Sequence, residues 1–327
     1  MPANLTPQYH AAEESYKAAK TPAEKIQALK EMYAVIPKHK GTDKLQGDIK
    51  RRIARHKAEL QQERKTGKRA GFHVDKEGAG QLVLAGLPNV GKSQLVSALT
   101  HASPEVADYP FSTRAPHPAM MPFENIQIQL IDLPPISEDH MEFWVPNIIR
   151  TADGVLLVVD LAADPVHQVE ASLEILKRAK LELVREEPEI DPWSSVAYKK
   201  TLFVANKSDF EGSKQSFEMV HKLYGNTFQA VSVSAQHGLN LMELKYQIFD
   251  MLNILRVHSK PPGKEVEMDK PFILKRGSTL MDFAQMVHKD FAENLKFARI
   301  WGSEKFDGQR VNKDYVLVDG DVIELHI

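Results

Sequence analysis

The chain contains no cysteine. A disulfide scaffold, a thiolate zinc site, an iron–sulfur cluster and a cysteine nucleophile are therefore excluded, and the cytoplasm is the simplest setting. No run approaches the ~18 apolar residues of a membrane-spanning helix. The first twenty residues, MPANLTPQYHAAEESYKAAK, lack the apolar stretch of a signal peptide. Thirteen histidines are scattered without H-x-x-x-H spacing, so the usual helical zinc pair is missing. Charge of one sign is also missing. Lys and Arg total 42 against 44 Asp and Glu, a net of −2, so any basic face must be local.

What is present divides 327 residues into three parts, more than one ordinary domain of ~100–200 residues. Residues 1–75 are polar and rich in helix formers. Ala12, Tyr16 and Ala19 fall at helical spacing. Thr21-Pro22 reads as a cap and first helical residue, with Glu24 at the third position and Ile26, Leu29, Met32 and Tyr33 as the apolar stripe. Lys40-Gly41-Thr42 reads as a turn. A further helix carries Leu45, Ile49, Ile53 and Leu60 on one side. Between Lys38 and Arg69 stand twelve basic and four acidic residues, a local excess of eight. Such an excess is the footprint of a phosphate-backbone binder; a solvated helix face is the plainer reading.

Residues 76–260 alternate between strand and helix patterns. Gln81–Ala85, Ile126–Ile131, Val155–Val159, Leu202–Ala205 and Ala230–Val233 read as strands. The continuous apolar run Val155–Val159 suits a strand covered on both faces. Helices are expected near Met141–Ile149, from Asp164-Pro165 through Ile175, and over Phe217–Tyr224 and Leu241–Leu252. The alternation predicts an α/β domain, doubly wound, with its ligand loops at the carboxyl ends of the strands. Pro261-Pro262-Gly263 reads as a linker, and residues 264–327 as a small α+β module. Its expected strands are Phe272–Lys275, Phe297–Trp301, Tyr315–Leu317 and Val322–Ile327, with a helix over Thr279–His288.

Chemistry concentrates in the second part. Gly86-Leu87-Pro88-Asn89-Val90-Gly91-Lys92-Ser93, followed by Gln94, fits G-x-x-x-x-G-K-[ST] between a strand and a helix. The glycines let backbone N–H groups turn inward around phosphates, Lys92 reaches the β- and γ-phosphates, and the Ser93 hydroxyl suits Mg²⁺. The new helix adds its positive end. Asp132 closes a strand, where a carboxylate holds a Mg²⁺-bound water. Asn206-Lys207-Ser208-Asp209 closes another. Asp209 is placed to accept two hydrogen bonds that guanine offers and adenine does not. Asn206 would tether neighbouring loops, and the Lys207 stem would pack along the base. Ser234-Ala235 closes a third strand, with the Ala235 N–H expected to read guanine O6. GTP and GDP are the ligands this set implies.

The order and spacing resemble the translation-factor-related GTPases. Within them, Ala107-Asp108-Tyr109-Pro110-Phe111-Ser112-Thr113 resembles the Obg-like branch. That match makes Thr113 a Mg²⁺ ligand of switch I. Gly277–Ala284, Val287–Asp290, Phe297–Gly302 and Gln309–Val311 resemble the TGS domain, and the whole is similar to the developmentally regulated GTP-binding proteins. The resemblance implies a P-loop GTPase domain, an N-terminal helical hairpin and a C-terminal β-grasp TGS domain. It also implies GTP hydrolysis linked to the ribosome. The basic hairpin and TGS domain would contact ribosome, rRNA or tRNA, with a protein cofactor as a further partner and no membrane. An Asn at position 89 holds K⁺ against the phosphates in related GTPases.

Two departures stand out. The relatives insert a small domain before the base-reading motif, whereas Asp132 and Asn206 here leave room for ordinary elements only. Switch II normally reads D-x-x-G, its glycine N–H donating to the γ-phosphate. Here it reads Asp132-Leu133-Pro134-Pro135, and proline has no N–H. Ile136 stands where Ras-like GTPases place a water-orienting Gln, as expected for the Obg-like branch.

Overall fold

The computed structural model describes residues 9, 13, 16, 22–36, 42, 46–54, 72–100, 115–138, 141–188, 194–302 and 307–327. Its chain divides into two compact units, Met1–Gly71 and Phe72–Ile327. Among the described residues no helix is long and apolar enough to cross a membrane.

The first unit holds helix α1 (Pro22–Val35) and a helical stretch over 46–54. Leu29, Met32, Ile36 and Ile49 are buried with Tyr9, while Tyr16, Tyr33 and Ile53 pack at the edge. The Lys50 ammonium lies 5.3 Å from the Tyr33 ring centre. Asp48 pairs with Arg51 and Arg52 at 3.7 and 3.0 Å. The expected positions Ala12, Ala19, Leu45 and Leu60, and the basic run from Arg55 to Arg69, lie outside the described residues.

The second unit opens on β1 (Gln81–Ala85) and α2 (Lys92–Thr100). An antiparallel hairpin of β2 (His117–Phe123) and β3 (Ile126–Asp132) follows. Then come α3 (Val145–Thr151), β4 (Gly154–Asp160), α4 (Pro165–Arg178), β5 (Leu181–Val184), β6 (Ala197–Asn206), α5 (Ser213–Tyr224), β7 (Gln229–Ser232) and α6 (Leu241–Leu252). The sheet order is β2-β3-β1-β4-β6-β5, with β7 also on β6. All pairs except β2 with β3 are parallel.

Period-two geometry explains the layering. Leu82, Leu84, Leu156 and Val158 face α2 and α6 in one core. Val83, Ala85, Val155 and Leu157 face α3, α4 and α5 in the other. A strand apolar at every position is therefore covered on both sides. The Asp164 cap accepts the His167 N–H at 3.0 Å and starts α4, as its Asp-Pro signal predicts. Trp144 is buried against Phe72, which fits a packing role. Trp193 lies outside the described residues.

Strand β2 was not expected, because HPAMMPF carries two prolines. It lies at the sheet edge, where one side needs no ladder hydrogen bonds. Strand β5 is short, buries alternate residues and was missed for that reason.

The C-terminal module starts earlier than expected. Strand β8 (Ile254–Ser259) leaves α6 through Asn253, whose φ is 53°. It pairs antiparallel with β9 (Phe272–Lys275) and parallel with β12 (Asp321–His326). Strand β8 therefore belongs to the C-terminal sheet, and Pro261-Pro262-Gly263 lies between two of its strands. Helices α7 (Leu280–Val287) and α8 (Lys289–Asn294) follow. Then β10 (Phe297–Trp301) and β11 (Gln309–Val311) complete a sheet of order β11-β10-β12-β8-β9. The expected strand Tyr315–Leu317 contributes only a bridge between Thr279 and Val316. Thr279 and Asp282 form a reciprocal capping box on α7. Leu280, Phe283 and Ala284 bury against Leu255, Val257 and Ile323. Trp301 is half-buried, with the Lys260 ammonium 4.8 Å from its ring centre.

Arg256 on β8 joins this module to the large sheet. It donates to Asp319 at 3.1 and 2.7 Å and to Asn125 Oδ1 at 3.1 Å. It also pairs with Glu124 and lies 5.0 Å over Phe249. Glu124 and Asn125 form the tip of the β2–β3 hairpin, and Asn125 also donates to Met268 O at 2.9 Å. The Arg256 side chain is 13% exposed. Arg256→Ala would remove the Arg256 side-chain bonds to half-buried Asp319, which keeps the residue-256 backbone N–H at 2.7 Å, so it should cost about 1–3 kcal/mol in chemical denaturation. A loss below about 1 kcal/mol would mean the cluster behaves as a surface pair.

Candidate functional site

The carboxyl ends of β1, β3, β4, β6 and β7 converge on one edge of the sheet, and the sequence motifs sit there. Gly86 leaves β1 with φ 154°, and a Cβ on it would stand 2.4 Å from Val158 O. Gly91 has φ 89°, and a Cβ there would meet Asn206 Nδ2 at 2.4 Å. Only glycine fits either place, because the loop runs hard against β4 and the β6 end. The loop then enters α2 directly, its Gly91 carbonyl accepting the Leu95 N–H at 2.9 Å.

Lys92 curls back over this loop. Its ammonium donates to Gly86 O and Leu87 O, both at 3.0 Å. Burial pushes its pKa down to about 8, partly opposed by Asp132. Ser93 donates to Asp132 Oδ2 at 2.5 Å. Burial raises the Asp132 carboxyl, while Ser93, Lys92 and His117 oppose the rise. Asp132 Oδ1 is buried without a hydrogen-bond partner. An orphan carboxylate oxygen beside a hydroxyl is the oxygen-donor chemistry that suits Mg²⁺. Thr113 and Arg114 lie outside the described residues.

The segment after Asp132 is tied down. Leu133 and Ile136 are buried in the core under α3. The Ile136 N–H, the first after the two prolines, donates to Gly86 O at 3.2 Å. The Ile136 side chain is fully buried, so it faces no attacking water.

A second cluster lies beyond the loop. Asn206, 1% exposed, donates to Val90 O and accepts the Ala235 N–H, both at 3.0 Å. It bridges the phosphate loop and the β7 loop. The Ala235 amide expected for guanine O6 donates to Asn206 here, and the neighbouring Gln236 lines the cavity. Asp209 is exposed, and the Ser234 hydroxyl holds its carboxyl below the usual range. The Lys207 ammonium reaches Asp160 at 2.6 Å. Asn89, Gly91, Gln94, Asn206, Lys207, Asp209, Phe210 and Gln236 line a cavity of about 350 Å³.

Two families match. Residues 81–207 match the family described as 50S ribosome-binding GTPase, and residues 255–327 match the TGS domain. The chain carries a P-loop GTPase domain followed by a TGS domain. Over most of its length it is similar to proteins named for developmental regulation. Developmentally-regulated G-protein 1 of Arabidopsis thaliana is 28% identical over 92% of this chain and 90% of its own. Developmentally-regulated GTP-binding protein 1 of Xenopus laevis is 28% identical over 92% and 98%. An uncharacterized GTP-binding protein of Methanocaldococcus jannaschii is 28% identical over 93% and 92%.

The TGS match begins at residue 255, in agreement with β8 as part of the C-terminal sheet. The alignment to the archaeal relative spans 361 positions against 327 residues here. The relatives therefore carry residues that this GTPase-domain chain lacks. Between β3 and β6 the described residues form only α3, β4, α4 and β5, with no inserted domain among them. Sequence reasoning missed Asp160, Phe210 and Gln236. Asp160 had a signal, a carboxylate directly after an apolar strand at the ligand edge. Phe210 and Gln236 are defined by loop shape, which no motif spacing encodes.

The buried Lys92 yields a pH dependence. Bound phosphate keeps the ammonium charged, whereas the free protein loses that proton above about pH 8. GDP affinity should be flat below pH 8 and fall by up to about tenfold per unit above it. Calorimetric titration from pH 7 to 9 would read this, and a flat profile would contradict it.

Proposed function

We propose that this protein binds GTP with Mg²⁺, hydrolyses it to GDP and phosphate, and acts in the cytoplasm as a ribosome- or translation-associated regulatory GTPase. The observation that carries the reading is the Ser93–Asp132 contact beside buried Lys92, with one Asp132 oxygen unpartnered. Lys92 and the backbone N–H groups of the Gly86–Gln94 loop, Pro88 excepted, hold the phosphates. Ser93 and, by resemblance, Thr113 would ligate Mg²⁺, and Asp132 would hold it through a water. When bound, the ion neutralises charge on the β- and γ-phosphates. Asn206 fixes the loops, Lys207 lies along the base, and Asp209 selects guanine.

The attacking water has no Gln to orient it, because that position is the buried Ile136. Intrinsic turnover is therefore slow. Asn89, whose φ is 64°, would by resemblance hold a K⁺, and such an ion would offset transition-state charge as an arginine finger does. The ribosomal assignment rests on the local basic excess before residue 70 and on the TGS domain. The described part of that segment, Lys50, Arg51 and Arg52, is exposed.

One observation favours a second reading, a nucleotide-dependent RNA- or ribosome-binding module with weak hydrolysis. Pro134 and Pro135 offer no N–H, and the Ile136 N–H is spent on Gly86 O. The γ-phosphate then lacks its backbone sensor. Multiple-turnover GTP hydrolysis in K⁺ and in Na⁺, each with and without ribosomes, separates the two. The enzyme reading expects stimulation by K⁺ or by ribosomes of about tenfold or more. Equal, slow rates in all four conditions would favour the binding module.

A further inference from the structure

Asp160 ends β4 and lies beside Asn206 in the β4–β6 register. It is fixed on every side. Its N–H donates to Gln168 Oε1 at 2.8 Å, and its carbonyl accepts from Gln168 Nε2 at 3.1 Å. The neighbouring Leu161 N–H donates to Asn206 O at 3.0 Å. One carboxylate oxygen accepts the Ala162 N–H at 2.8 Å. The other takes the Lys207 ammonium at 2.6 Å, with the Asp160 side chain 14% exposed. Lys207 itself has a left-handed backbone, φ 65°, which directs its side chain across to β4 rather than along its own strand.

Asp209 stands two residues from Lys207; the Ser234 hydroxyl bonds its carboxylate, the His237 ring lies 3.6 Å away, and the Lys207 charge also acts on it. A free ammonium at this place has two carboxylates within its electrostatic reach. Only one of them can read a base. We propose that Asp160 is a positioning residue for base recognition: it parks the Lys207 ammonium so that the Asp209 carboxylate stays open to guanine. This rests on the assignment of Asp209 as the guanine acceptor. Without the Asp160 charge, Lys207 turns to Asp209 and occupies the oxygens that accept the base N1–H and exocyclic amine. Asp160 therefore acts through Lys207 and touches no nucleotide.

Asp160→Asn keeps an oxygen for the Ala162 N–H and removes only the charge. GDP and inosine diphosphate, which lacks the exocyclic amine, are titrated against wild type, Asp160→Asn, Lys207→Met, the double variant and Asp209→Asn. Thermal melting accompanies each protein. Asp160→Asn is expected to weaken GDP binding by about tenfold or more and to shrink the preference for GDP over inosine diphosphate. Lys207→Met and the double variant should match each other, since with the ammonium gone Asp160 has nothing to hold. The proposal is overturned if Asp160→Asn leaves the base preference unchanged, or if its effect persists in the Lys207→Met background. An unaltered GDP affinity in Asp209→Asn would instead overturn the guanine assignment beneath it.

Discussion

The Gly86 carbonyl is the point on which the site depends. It accepts the Lys92 ammonium at 3.0 Å and the Ile136 N–H at 3.2 Å. One oxygen thus ties together the phosphate loop, the start of α2 and the segment after β3. The close approach is possible because Gly86 has no side chain to strike Val158 O. Lys92 is held in a desolvated place, its ammonium on two backbone carbonyls. The segment after Asp132 is held too, by two prolines, two buried side chains and this one hydrogen bond. The arrangement favours a pre-formed phosphate site over a mobile sensor loop.

A second bridge joins two loops of the same sheet edge. Asn206 uses both ends of its amide, one on the phosphate loop and one on the β7 loop. Asp160 holds Lys207, and Ser234 holds Asp209. The polar groups at the sheet edge are therefore mostly committed to one another. The base cavity, the phosphate loop and the hairpin with its Arg256 anchor belong to one connected sheet. The β2–β3 hairpin has Asp132 opposite His117 at one end and the Arg256 cluster at the other. Nucleotide site and TGS domain thus share a single short element.

Much of this was legible in the sequence, for physical reasons. Gly86 to Ser93 and Asn206 to Asp209 act through local backbone geometry, so spacing encodes them. Val155–Val159 declared a doubly covered strand by having no polar face. The Asp-Pro start of α4 carried its own capping chemistry. Other features depended on tertiary context. The prolines of β2 argue against a strand until the sheet edge makes them harmless. Pro261-Pro262-Gly263 is the strongest breaker in its region, yet it connects β8 and β9, two strands of one sheet. Motif spacing places Ala235 at the ligand edge but cannot show that its amide also meets Asn206. Residues 55–71 and 101–114, which hold half of the basic run and the switch I match, lie outside the described structure.

The central claim is that the segment after Asp132 is pinned to Gly86 and senses the γ-phosphate poorly. Nucleotide titration of Pro135→Gly tests it most directly, with GDP and a non-hydrolysable GTP analogue compared in wild type and variant. Restoring an N–H at position 135 should raise the preference for the GTP analogue by about tenfold, the worth of one hydrogen bond to a charged group. An unchanged ratio of the two affinities would contradict the account, because the missing amide would then carry no discrimination to restore.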